Sequence, residues 1–74
     1  MIFGKTSAVS KKFGSKVRQA RMKIGISQEE LAFQSGLDRT YISGIERGTR
    51  NPSLKNIEKI AKALKISPAE LFSS

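Results

Sequence analysis

Apolar residues recur along this chain at helical spacing, and no segment shows the strict alternation of a half-buried strand. Phe13, Val17, Ala20 and Ile24 fall at intervals of 4, 3 and 4, which places them on one face of a first helix beginning at Lys11. Lys12, Lys16, Arg18 and Lys23 occupy its other faces, and Gly25 suits its C-terminal cap. Gly14 costs about 1 kcal/mol relative to alanine inside that helix, which blurs its start. Ser27 followed by Glu30 reads as a capping box that opens a second helix at Gln28, with Leu31 and Ala32 facing inward. The small Ala32 lets a neighbouring helix approach closely, and Gly36 ends the element where left-handed φ is needed.

Asp38 caps a third helix that starts at Arg39, turns Ile42 and Ile45 inward and stops at Gly48. Residues 49–52 form a loop, because Pro52 pushes Asn51 out of helical geometry. Ser53 caps a fourth helix with Leu54, Ile57, Ile60 or Ala61, and Leu64 as its apolar stripe. Lys55, Lys59, Lys62 and Lys65 line its exposed face, read as a solvated stripe. Ser67, Pro68 and Glu70 repeat the helix-start grammar and predict a short fifth helix carrying Leu71 and Phe72. Residues 1–10 are small, polar and aperiodic, and read as a loosely packed arm. The expected fold is one all-α domain of five helices over residues 11–74, with the second and third as a helix-turn-helix.

At 74 residues the chain has room for one domain. A chain this short buries only roughly 60% of its unfolded surface, so dimerisation would add useful apolar burial. Cysteine and histidine are both absent, which excludes a disulfide framework and a zinc site of the Cys/His kind. Without a phosphate-cradling glycine loop or an acidic dyad, an enzyme is not expected, nor is a cofactor. No apolar run approaches the roughly 20 residues of a membrane span, and the first ten residues lack a signal-peptide core. A cytoplasmic protein is the expectation.

Charge sharpens the picture. Fourteen Lys and Arg against six acidic residues give a formal +8. Polyphosphate is the natural partner, since each neutralised phosphate releases a counterion. A ribosomal or membrane-surface role, or charge kept for solubility, would fit composition alone. The start of the third helix favours DNA: Arg39, Thr40 and Tyr41 project from a helix end of the kind that enters a major groove.

The order of these elements resembles the DNA-binding domain of lambdoid phage repressors and Cro proteins across residues 11–72. The likeness lies in QEELA, Gly36, Leu37, Ile42, Ile45, Glu46 before Gly48, and SPAELF. Within that family the string LDRTYISGIERGTRNPS is similar to controller proteins of bacterial restriction-modification systems. The resemblance implies a homodimer on a two-fold symmetric DNA operator, with two dimers on tandem sites as the extended form. It places base recognition on Arg39, Thr40, Tyr41, Ser43 and Gly44. Gly44 departs from the family, having no side chain where relatives often read a base. An ion pair between Arg21 and Glu46 is also implied, structural rather than functional.

Each candidate has a chemical rationale and a plainer competitor. Arg39 can grip guanine O6 and N7 in bidentate fashion, or be a solvated or phosphate-binding arginine. Thr40 offers a methyl to thymine or a hydroxyl to a base edge, against an ordinary surface role. Tyr41 stacks or bonds a phosphate, unless its ring packs on the domain; Ser43 faces the same way. Gln28, at a helix start whose amides attract anions, joins Arg47, Arg50 and Asn51 as expected phosphate contacts. The alternative for Arg50 and Asn51 is loop solvation. Ile66, Pro68, Leu71 and Phe72 form an apolar chain end expected to cover the two-fold interface.

The leading function is a transcriptional regulator of its own promoter region. By resemblance it activates an endonuclease operon at low concentration and represses at higher occupancy of a second site. Activation requires a contact with RNA polymerase, through its sigma subunit, for which Glu29, Glu30 and Asp38 are candidates. A Cro-like phage repressor and a toxin-pair antitoxin are the alternatives that also bind DNA. A protein-bridging adaptor is the alternative from another class, and it predicts no sequence-selective DNA binding.

Overall fold

The computed structural model describes residues 8–73. Four α-helices follow one another: α1 (Ala8–Lys23), α2 (Gln28–Ser35), α3 (Arg39–Arg47) and α4 (Leu54–Leu64). A single 3-10 turn, Pro68–Leu71, closes the domain, and among the described residues there is no strand. The all-α, helix-turn-helix expectation holds, but the fifth helix is this turn and not an α-helix. Proline at its first position and the full Ser67–Glu70 box fix its start, and Phe72 N–H then bonds back to Ala69 O at 3.0 Å.

Helix starts follow the local chemistry. The hydroxyls of Ser27 and Ser53 accept from Glu30 N–H and Asn56 N–H, at 3.0 and 3.1 Å. The expected box at Ser27 is only half formed. The Glu30 carboxylate accepts from Gln34 Nε2 at 2.6 Å, one turn along the same helix. Gly36 supplies φ +74 at the turn between α2 and α3, where Leu37 N–H returns to Ala32 O at 3.0 Å. Lys65, assigned from sequence to the solvated stripe of α4, instead ends that helix at φ 62, the only non-glycine residue with positive φ among those described.

Three expectations about α1 and α4 change. Ala8, Val9 and Ser10 are helical, so the arm loses its last three residues to α1; the rest of it lies outside the described residues. Ile24 falls beyond the end of α1 and is 43% exposed, not part of its inward face. Leu54 is 82% exposed, because the first residue of α4 precedes the turn that meets the core.

The core gathers Phe13 and Val17 of α1, Leu31 and Ala32 of α2, Ile42 and Ile45 of α3, Ile57, Ile60, Ala61 and Leu64 of α4, and Leu71. Phe13 also meets the Phe72 ring, centroid to centroid 5.1 Å. Helices α1 and α3 approach each other closely at Gly14. A Cβ on Gly14 would lie 2.0 Å from the Ile45 carbonyl oxygen and 2.9 Å from that of Glu46. Glycine mid-helix is weak for propensity, but only glycine lets these two backbones touch. That contact, with Ile42 and Ile45 fully buried, fixes how α3 sits on the domain.

Candidate nucleic-acid interface

The first turn of α3 is held open by Asp38. Its carboxylate accepts from Thr40 N–H at 2.9 Å and from the Thr40 hydroxyl. These bonds, the hydroxyl's foremost, hold the Asp38 carboxyl below its ordinary pKa. Thr40 is thereby turned toward the cap, and its hydroxyl is shared with Asp38. Arg39 is exposed, and among the described residues nothing hydrogen-bonds its guanidinium. Its five donors stand in solvent at the head of the helix, the arrangement a bidentate guanine contact needs.

Tyr41 shows the plainer of the two readings made for it, packing on the domain. Its ring is half-buried against the core, while its hydroxyl accepts from Asn56 Nδ2 of α4 at 3.0 Å. The Arg50 guanidinium lies over the same ring, 5.7 Å from its centroid. Gly44, one turn on from Tyr41, acquires a reason here. A Cβ there would sit 2.6 Å from Arg50 Cγ, so the missing side chain leaves room for the arginine stem. The vacancy in the expected base-reading row is a seat for Arg50.

Ser43 is half-buried, and its hydroxyl accepts from Arg47 at 2.5 Å. Arg47 is exposed at the last turn of α3. Asn51 accepts from the Ser10 hydroxyl, tying the loop after α3 to the first turn of α1. Arg39, Thr40, Tyr41, Ser43, Arg47, Arg50 and Asn51 therefore belong to one helix and the loop that follows it.

Gln28 is the exception. Its Nε2 donates to Glu46 Oε1 at 3.0 Å, so the side chain expected to meet a phosphate is turned inward. It completes the pair between Arg21 and Glu46, where Nε meets Oε2 at 2.7 Å and Nη2 meets Oε1 at 3.0 Å. Arg21 Nη1 also donates to Ile26 O at 2.9 Å. The side chains are 12% and 3% exposed. The Glu46 bond raises the Arg21 pKa, so the guanidinium keeps its charge. Four groups from α1, the turn after it, α2 and α3 thus meet at one corner.

The other assigned residues divide. Glu29 and Glu30 are exposed on α2 beside Phe33, itself 82% exposed. Asp38 is committed to its cap and makes a poorer candidate for a polymerase contact. Leu71 is 1% exposed and belongs to the core, so the chain-end patch reduces to Ile66, Pro68 and Phe72. An open groove runs beside it, lined by Lys55, Glu58, Lys59, Lys62, Ile66 and Pro68. Asn56 was not singled out from sequence, since nothing in the period of α4 marks the third residue as a partner of α3.

Known proteins are similar to this chain in sequence and fold. A helix-turn-helix family model matches residues 17–71. Control protein C.BamHI of Bacillus amyloliquefaciens is 64% identical over 61 residues, covering 81% of this chain and 75% of that protein. The crystal structure of the restriction-modification controller protein C.AhdI from Aeromonas hydrophila superposes with a TM-score of 0.88 at 57% identity, over 89% of this chain and all of that one (100%). C.Esp1396I bound to a 19 base pair DNA duplex matches with a TM-score of 0.82 at 44% identity, over 89% of this chain and 88% of that one.

Proposed function

The chain belongs to the helix-turn-helix family, among the controller proteins of restriction-modification systems, and we propose that it binds double-stranded DNA sequence-selectively to regulate such an operon. The observation that carries this is Arg39, solvated and unengaged at the head of a helix whose other side is locked into the core. Arg39 reads a guanine, Thr40 and Tyr41 address neighbouring groups, and Arg47, Arg50 and Asn51 meet the phosphates. Ser43, bonded to Arg47, orients that arginine rather than reading a base itself.

The protein acts as a homodimer on two-fold related half-sites, joined through Ile66, Pro68 and Phe72. Support for that face comes from apolar surface left uncovered in a single domain, with Phe72 54% exposed. Glu29 and Glu30, with the exposed Phe33 between them and Gln34, form the acidic edge offered to RNA polymerase.

Footprinting of the upstream DNA across protein concentrations tests the reading. Each dimer should protect two half-sites with centres about 34–36 Å apart, one helical turn. A second region should fill at higher concentration as expression falls. Equal affinity for that DNA and a scrambled duplex would overturn the proposal.

A further inference from the structure

Tyr41 is the one member of the recognition surface gripped from two sides by groups that do not themselves belong to its helix. Asn56 Nδ2, from the first turn of α4, donates to its hydroxyl oxygen at 3.0 Å. Arg50, from the loop after α3, covers its ring at 5.7 Å while its own stem lies in the space left by Gly44. Asn56 is itself anchored, because its backbone N–H donates to the Ser53 cap. The ring is further fixed by packing on the core.

We infer that Asn56 is a positioning residue for DNA recognition: it makes the Tyr41 hydroxyl a dedicated hydrogen-bond donor to an acceptor atom of the DNA. The inference rests on the DNA-binding function proposed above. A phenol carries one proton and can accept and donate at once. With an amide N–H directed at its oxygen, the proton must point elsewhere, and the half-buried ring leaves solvent, hence DNA, as the open direction. The hydroxyl then prefers acceptors (guanine O6 or N7, adenine N7, thymine O4 or a phosphate oxygen) and disfavours the amino groups of cytosine and adenine. Asn56 touches no DNA in this scheme. It sets the polarity of a contact made by another residue.

The experiment measures affinity for the operator DNA and for a scrambled duplex, and uses their ratio, with circular dichroism confirming that each variant is folded. Tyr41→Phe and Asn56→Ala should each lower the ratio by roughly five- to tenfold, the scale of one hydrogen bond. In the Tyr41→Phe background, Asn56→Ala should have no further effect, since both remove the same contact. Asn56→Asp offers only acceptors and draws the phenol proton away from DNA, so it should lower the ratio at least as far. Its extra negative charge weakens both duplexes alike and largely cancels in the ratio. Single base-pair substitutions and single neutral methylphosphonates then separate a base acceptor from a phosphate oxygen: the sensitive position should lose its effect in both Tyr41→Phe and Asn56→Ala. An unchanged ratio in Asn56→Ala, or fully additive losses in the double variant, would overturn the inference while leaving a discriminating wild type intact. A wild type that does not discriminate would instead overturn the proposed function.

Discussion

The two sides of α3 treat polar groups in opposite ways. On the inner side, the Glu46 side chain is 3% exposed and its oxygens meet Arg21 and Gln28 in fixed geometry. On the outer side, Arg39 is solvated, while Thr40, Ser43 and Arg47 bond only to neighbours within four residues of themselves. The inner groups have exchanged water for each other and have nowhere else to go. The outer ones hold local bonds that a phosphate or a base edge can replace at small cost. On the proposed reading, one nine-residue helix is both a structural member and a reading head.

The largest test of that contrast is Glu46→Ala. Removing one partner strands the Arg21 charge in a site that is 12% exposed, at a cost of roughly 3–5 kcal/mol. Against a total stability of about 5–15 kcal/mol, this should bring thermal unfolding down sharply, as calorimetry would register. A variant that melts like the wild type would mean the inner side is not structural. Next comes Arg39→Ala, which should leave the melting temperature almost unmoved. It should cost about 1–3 kcal/mol of discrimination at a single base pair, while Arg47→Ala weakens every sequence alike and flattens the salt dependence. If Arg39→Ala weakened all duplexes equally, its guanidinium would be a phosphate contact.

The smallest effect concerns pH. The folded pKa of Asp38 lies below its ordinary value, so its stabilisation is complete above the ordinary carboxylate range. It is lost as pH falls through the lowered folded value. The Asp38→Asn variant would still cap the helix through its amide oxygen but would not titrate. The melting temperatures of the two proteins should hence keep a constant offset near neutrality and converge or cross below about pH 4. A constant offset throughout would remove Asp38 from the acid response.

The starts of α2, α3 and α4, and the glycine turns that end α2 and α3, were legible in the sequence, because each depends on chemistry within four residues. Ser27, Asp38 and Ser53 cap as expected, and Gly36 and Gly48 have the left-handed backbone expected of them. The inward faces were legible too, apart from Ile24 and Leu54, which lie at element ends where period ceases to predict burial. Of the pairings between elements, Arg21 with Glu46 was expected through the family resemblance, and the others could not be read. Gln28 with Glu46 and Tyr41 with Asn56 join residues 18 and 15 apart, and no local pattern distinguishes them from solvated amides. Gly44 showed from sequence only as a missing reader. Its use as a seat for Arg50 depends on the path of a loop that local propensity leaves undetermined.

The touching backbones at Gly14 and Ile45 bear on how such a regulator can change its target. Rolling or tilting the reading head would have to pull apart main chains already in contact, so altered docking angles are a poor source of new preferences. Divergence toward a different operator is channelled instead into exchanges of the projecting residues, one position at a time, on a mount that stays the same.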